Sequence, residues 1–438
     1  MSRTDGAACT PVRQQYEQFP YPPRDPRDEA KRLLPTYLDH LSMINHYGFR
    51  GRQDFRRGFR ALVAGGGTGD AAVFLGEQIR QTDARIVYLD LSESSMEVAR
   101  SRAAARGLTN ITWEQGSLLD LPRRSWEPFD YVNCVGVLHH LPDPAEGLRA
   151  LRAVLKDDGA MGLMVYGRYG RTGVYQMQEL LRIVNRQAGD DRARLGNARL
   201  LLDLLPETNW FQKGRDLVRD HVEMGDAGLY DMLLHSTDRA FSIPEVYELV
   251  EGCGLHLAAF ELRQRAILTP GVAYRDPGLL KLLAGLPVPR QQAALELFNG
   301  TITKHSFYVS ARPDAVADLQ DADNVPLFHL LPDLGRRLSG EIERNAGRGR
   351  MTLSLPRGIQ VELEVRPSTA ALLNHVDGQR SIRDLTEAAR QSLRPRPSRD
   401  DVQRDFQRLY DPLNFWDLML LRHRSVSPPP PVPPLPAA

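Results

Sequence analysis

Three glycines at alternate positions, Gly65, Gly67 and Gly69, stand between the apolar run Ala61-Leu62-Val63-Ala64 and a second one, Ala71-Ala72-Val73-Phe74-Leu75. A turn of that kind, with Gly66 inside it, joins a buried strand to a helix start. It lets a ligand approach bare backbone and turns partnerless helix N-terminal amides toward it. Twenty residues after Asp70, the run Arg85-Ile86-Val87-Tyr88-Leu89 ends in Asp90. A carboxylate at the end of a second strand is placed to accept hydrogen bonds from both hydroxyls of a ribose. Together these residues specify a nucleoside-binding site. Groups able to move a proton follow. His139 and His140, and then Tyr166, Arg168 and Tyr169, stand just beyond two further apolar runs. Histidine exchanges a proton near neutral pH without a large shift. His235, Asp238 and Arg239 form another polar cluster, whose simplest role is to anchor a loop. No histidine and cysteine spacing of a metal site is present in the chain.

The elements that would position these groups alternate between strand and helix. Apolar runs predict strands over 60–65, 85–90, 110–115, 129–135 and 160–166, and a final pair over 255–262 and 304–311. Alternation of this kind makes an α/β fold with a doubly wound sheet. The helix from Pro144 is expected to close at Lys156-Asp157-Asp158-Gly159. Ser242-Ile243-Pro244-Glu245 carries a capping box with proline in the first turn. Residues 168–240 are an insertion after the fifth strand that reads as helices. Ligands in open sheets bind beyond the carboxyl ends of the strands, so this insertion is the natural lid for acceptor recognition. Before the glycine turn, Tyr16-Glu17-Gln18-Phe19-Pro20-Tyr21-Pro22-Pro23 reads as a rigid, extended aromatic arm. It is expected to fold over the cofactor mouth with Tyr16 or Tyr21 facing the reacting group. Residues 29–47 read as helical.

The turn is Gly-x-Gly-x-Gly and lacks the third glycine of the dinucleotide pattern, because position 70 is Asp. It is followed by Leu89-Asp90-Leu91-Ser92, then Ile111-Thr112-Trp113-Glu114-Gln115-Gly116-Ser117-Leu118. Next come Phe129-Asp130-Tyr131-Val132 and Val137-Leu138-His139-His140-Leu141. In that order these segments resemble the class I (Rossmann-like, seven-stranded) S-adenosylmethionine-dependent methyltransferases over roughly residues 59–312. The resemblance implies a mostly parallel seven-stranded sheet and S-adenosylmethionine as cofactor. Gly65, Gly66, Gly67 and Gly69 would cradle its amino-acid end, Asp90 the ribose, and Leu91, Ser117 and Leu118 the adenine. Val135 would line the same cleft, with Tyr16 and Tyr21 closing it. Many members carry Asp where Ser117 stands, which weakens the expected contact to the adenine amino group. His139, His140, Tyr166 and Arg168 are the expected catalytic groups. The acceptor stays open among a small molecule, a peptide and a protein. Two other readings remain: a cofactor-binding scaffold without turnover, and an NAD-dependent oxidoreductase.

Composition fits an enzyme of this kind. The chain has 438 residues, enough for two or three domains, with 42% hydrophobic and 25% charged residues. A formal net charge of +1 disfavours nucleic acid as a partner. Cys9, Cys134 and Cys253 are too scattered for a disulfide framework. With no signal-peptide core and no membrane-length apolar run, the expected location is the cytoplasm. The expected organisation is an N-terminal arm and helix over 1–58, a methyltransferase domain over 59–312, a small α+β domain over 324–424 and a disordered proline-rich tail over 425–438. In the small domain, residues 353–365 alternate as two strands about Pro356-Arg357-Gly358, and helices follow. The line Leu372-Leu373-x-x-Val376-Asp377-Gly378-x-x-Ser381-Ile382 resembles peptide-binding winged-helix domains of the pyrroloquinoline-quinone-biosynthesis chaperone type.

Overall fold

A computed structural model describes residues 5–344, 349–355 and 359–431, and only the backbone of 5–10. The apolar runs form strands β1 (Arg60–Ala64), β2 (Arg85–Asp90), β3 (Ile111–Gln115), β4 (Phe129–Val135), β5 (Leu155–Tyr166), β6 (His256–Phe260) and β7 (Lys304–Ser310). They make one seven-stranded sheet in the order β3-β2-β1-β4-β5-β7-β6. The first five strands pair in parallel, and β7 runs antiparallel to both β5 and β6. Helices cover both faces, so Ala61, Leu62, Val63 and Ala64 of the central strand are all buried. The strand order reverses between β1 and β4. A crevice opens at that point beyond the strand ends.

Strand β5 starts five residues earlier than the sequence pattern predicts. The preceding helix ends at Ala153, and Lys156-Asp157-Asp158-Gly159 joins the strand instead of stopping the helix. Leu155 pairs with Phe129, and Lys156 reaches Asp130 at 2.6 Å, which extends the ladder to the edge of the sheet. The arm also differs from its expectation. Its restriction by proline begins only at Pro20 and reaches one residue back. Residues up to Gln18 are therefore free to coil, and Asp5–Gln18 is a helix. The helix expected over 29–47 is broken. Pro35 separates the short turns Pro26–Ala30 and Tyr37–Asp39 from the helix Leu41–Gly48.

Asp39 lies beneath the crevice, 1% exposed, and its two carboxylate oxygens accept from Asn133 Nδ2 at 2.8 and 3.0 Å. Burial pushes its carboxyl up to about 6, against the pull of Thr36, Asn133 and Tyr131. The protonated acid is thus favoured by the fold more than by the unfolded chain. Its stabilising share is complete below the unfolded value near 4 and is lost as pH rises through 6. Relative to Asp39→Asn, the wild type should lose about 3 kcal/mol of stability between pH 4 and 7. Urea midpoints across that range measure this, and a pH-independent difference between the two proteins would remove the assignment.

The chain divides into two compact units. One comprises the segment up to His40 together with Arg57–Pro313; the other is Leu41–Arg56 with Asp314–Pro430. The second contains β8 (Asn324–Phe328) paired with β11 (Met419–His423), and the hairpin β9 (Arg350–Ser354) with β10 (Gln360–Glu364). Helices Thr369–His375, Ile382–Ser392 and Arg399–Phe415 follow the hairpin. Residues 356–358 of the expected hairpin turn, the side chain of Cys9 and residues 432–438 of the expected tail lie outside the described residues. Residues 425–431 leave β11 irregularly, and Val426 O accepts from Arg422.

Assigning residues 41–56 to the C-terminal unit corrects the boundary expected at 58. His46 Nδ1 accepts from Leu421 N at 3.2 Å, His423 N donates to Gly51 O at 2.8 Å, and the Tyr47 hydroxyl donates to Asp417. Gly51 sits at φ 75°, and a Cβ there would stand 2.8 Å from His423 N. A chain ending at Pro313 therefore leaves Leu41, Met43, Ile44 and Tyr47, all buried here, without cover. Such a truncation should aggregate. Light scattering checks this, and a monodisperse truncated chain would contradict it.

Candidate functional site

The glycine turn leaves β1 beside the end of β2. Gly67 has φ 52°, and a Cβ on it would stand 2.7 Å from the Tyr21 carbonyl oxygen. Gly69, at φ 98°, starts the helix Asp70–Gln78 against Ala99. Asp90 accepts from Gly67 N at 2.8 Å and Ser92 N at 2.9 Å, one amide on each carboxylate oxygen. Burial nevertheless raises its carboxyl above the ordinary value. The turn and Asp90 open into a cavity of about 660 Å³. That volume suits a small-molecule or cofactor pocket.

Most of the residues singled out from the sequence meet in this cavity. Gly65, Gly66, Gly67, Asp90 and Leu91 line one end, with Ser117, Leu118 and Val135 beside them. Tyr16, Tyr21, His140 and Tyr166 line the other. Gly69 stands behind the turn as packing. Arg168 does not reach the cavity: it pairs with Glu245 at 2.6 Å, and its side chain is 48% exposed. His139 is also removed from it. Its ring lies on that of Tyr166 at 3.9 Å, fully buried, with neither nitrogen hydrogen-bonded among the described residues. Burial, then the neighbouring His140, Arg171 and His235, hold it well below the usual imidazole range, so it is a neutral packing group. The short turn Leu138–His140 points only the second histidine outward.

The arm is fixed to the cradle by its own polar groups. Glu17 accepts from Glu93 N and Ser94 N, both at 2.9 Å, at the start of the helix Glu93–Ala105. Thr68 Oγ1 donates to Pro22 O at 2.6 Å, and Arg24 grips Asp70 at 2.7 and 2.9 Å. The insertion has a small core of its own around Val174, Met177, Leu181 and Leu229, and Phe19 of the arm packs against it. Tyr21 donates to Asp220 at 3.0 Å.

Asp231 carries no signal in the sequence, and His235 is the expected loop anchor with a second contact. Asp231 lies in a π-helical turn, Tyr230–Leu234, a form frequent at functional sites. No periodicity or motif marks it. Tyr16 donates to its Oδ1 at 2.8 Å and Tyr166 to its Oδ2 at 3.3 Å. Burial holds both phenols well above their ordinary value, so they stay protonated donors. His235, expected as a loop anchor, does accept from Thr237 N at 3.0 Å through Nδ1. It also stacks on His140 at 3.8 Å. His140 donates from Nδ1 to Thr237 O at 2.9 Å, because a carbonyl can only accept. The Nε2 lone pair of His140 is thereby left free.

His140, Asp231 and His235 bring one ligand-type atom each to within 4.8 Å of one another, as do His139, His140 and Asp238. The hydrogen bonds do not suit a metal. With Nδ1 of His235 accepting, the proton of the neutral ring sits on Nε2, which then has no lone pair to give. Arg171, close to Asp238 at 3.8 Å, adds a positive charge beside the second group.

A methyltransferase-domain family model matches residues 62–161. An uncharacterised protein of Synechococcus is 29% identical over 72% of this chain and 75% of its own length. The ubiquinone biosynthesis O-methyltransferase of Haemophilus ducreyi is 28% identical over 35% of this chain, which spans only 62% of that enzyme. In Neisseria meningitidis serogroup C the enzyme of the same name is 36% identical over 29% of the chain and 48% of its own length. Among solved structures, PKMT2 of Rickettsia typhi, also solved with AdoHcy, superposes over 89% of this chain and 75% of its own. The TM-score is 0.60 at 14% identity, a likeness of fold. A seven-stranded sheet with one antiparallel strand, a glycine turn facing an acidic strand end and the matched domain agree: the chain carries a methyltransferase domain over residues 62–161, of the S-adenosylmethionine-dependent kind with the class I fold.

Proposed function

We propose that the cavity holds S-adenosylmethionine with its amino-acid end on Gly65, Gly66 and Gly67, its ribose on Asp90 and its adenine between Leu91, Ser117 and Leu118. The observation that carries this reading is the state of Asp90. Each carboxylate oxygen spends one lone pair on a backbone amide, which leaves one on each for a ribose hydroxyl. The bound sulfonium supplies an activated methyl and a good leaving group. The protein's part is to align the acceptor, exclude water and accept a proton.

In this reading Tyr16, Tyr21, His140 and Tyr166 surround the reacting methyl, and His140 Nε2 is the proton acceptor. The arm and the insertion cover the site, and the insertion selects among small-molecule, peptide and protein acceptors. The hairpin followed by three helices supports a winged-helix-like reading of the second unit, whose role would be to present an acceptor. Among the described residues no helix is long and apolar enough to cross a membrane. Free, buried Cys134 and Cys253 support a reducing compartment such as the cytoplasm.

Calorimetry tests the cofactor assignment. S-adenosylmethionine and its demethylated product should each bind at one saturable site, and NAD should not. Incubation with methyl-labelled cofactor and a cell extract tests turnover. Binding without any labelled product would favour a scaffold; NAD binding alone would overturn the assignment.

A further inference from the structure

The acceptor end of the cavity contains a carboxylate that nothing in the glycine cradle requires. Asp231 is 2% exposed, lines the cavity and is fixed by two phenols, one on each oxygen. It forms no ion pair among the described residues. Asp220, held by Tyr21, lines the same end and likewise forms none. Of the cations nearby, Arg171 and Lys304 also line the cavity, and Arg171 acts on Asp231 without forming an ion pair with it. Arg171 lies over the Tyr166 ring at 3.6 Å with Asp238 beside it at 3.8 Å, and Arg219 pairs with Glu223 at 2.6 Å. This leaves two carboxylates among three tyrosine rings, with no cation in ion-pair contact with either among the described residues.

We propose that Asp231 anchors the acceptor and that the acceptor is an amine entering as its ammonium ion. This rests on the cofactor reading above and names the substrate class for it. A buried carboxylate is costly unless a positive charge joins it. A neutral hydroxyl would hydrogen-bond to Asp231 but leave that charge uncompensated, and an anionic acceptor would add repulsion. Aromatic rings beside a carboxylate are complementary surroundings for an ammonium group, and the rings of Tyr16 and Tyr21 line this end of the cavity. Burial raises the Asp231 carboxyl above its ordinary value, against the pull of His140, Tyr16 and Arg171.

The chemistry balances with groups already present. Asp231 orients the nitrogen, and one ammonium proton passes to the free Nε2 of His140. The nitrogen lone pair then forms the new N–C bond as the S–C bond breaks, its electron pair staying on sulfur. His235 serves as a positioning residue. Its Nε2–H faces the Tyr16 oxygen at 3.5 Å while Tyr16 donates to Asp231, so the chain of donors keeps the carboxylate an acceptor only.

The test uses the full chain saturated with S-adenosylhomocysteine. Three probes are titrated by ligand-observed NMR: n-butylammonium, 4-methylphenol and butyrate. Saturable binding of n-butylammonium, with the other two at least tenfold weaker, is the expected result. Preference for the phenol or for butyrate overturns the amine assignment while leaving the cofactor reading intact. In Asp231→Asn, n-butylammonium should bind about tenfold more weakly or not at all, with S-adenosylhomocysteine affinity kept. Unchanged ammonium binding in that variant would remove Asp231 from the role. Should the variant fail to fold, the wild-type probe ranking decides alone. Failure of the wild type to bind S-adenosylhomocysteine overturns the cofactor reading, and the proposal falls with it.

Discussion

Asp90→Ala is expected to raise the Kd for S-adenosylmethionine about 100-fold or more. Two hydrogen bonds from ribose hydroxyls to a charged oxygen contribute about 1.5–3 kcal/mol each, so their joint loss exceeds about 3 kcal/mol. The variant also strips Gly67 N and Ser92 N of their acceptor, which loosens the glycine turn. The effect on folding should be smaller, because removing a buried carboxylate relieves a desolvation cost that offsets the two lost amide bonds. Asp90→Asn keeps one acceptor oxygen and should lie between the two. Calorimetry beside a thermal melt separates these terms. A variant with parental melting and parental affinity would place the ribose elsewhere.

Arg102→Ala should cost about 3–5 kcal/mol of stability, the range for breaking a buried ion pair by removing one partner. Arg102 projects from the helix Glu93–Ala105 with a side chain 1% exposed, and meets Glu29, 3% exposed, at 2.7 Å. Its second arm reaches Asp70 at 2.6 Å and the Thr68 carbonyl at 2.8 Å. One guanidinium thus ties the N-terminal segment, the helix and the glycine turn together. Without it, Glu29 keeps only Arg106, and Thr68 O loses its donor. Urea unfolding measures the loss, and cofactor affinity should fall with it because the turn's far side is released. A change below 1 kcal/mol would mean that water replaces the guanidinium and that the network is not sealed.

The cofactor half of the site was legible because it is local. A glycine turn, an acidic strand end and the residues after the next two strands belong to consecutive strand–helix units, whose register follows from chain order. Gly67 and Asp90 come together because β1 pairs with β2 in parallel, Ala64 opposite Leu89. The other end of the cavity was not legible in that way. Tyr16 and Asp231 are 215 positions apart and meet only when the arm and the insertion have both folded against the sheet. His139 and His140 are indistinguishable as neighbours in a sequence, yet one turn buries the first against Tyr166 and opens the second to the cavity. Arg168 had the right position after a strand, but its long side chain found Glu245 of the capping box.

The sequence by itself determined the sheet, the cofactor cradle and the order in which their parts follow. Apolar periodicity and glycine dihedrals act over a few residues and leave a pattern that can be read directly. Only the tertiary structure decided which histidine opens to the cavity, which carboxylate lines its far end, and that residues 41–56 join the C-terminal unit. Those outcomes depend on side-chain packing and charge compensation between distant segments, and distance along the chain carries no periodic trace of them.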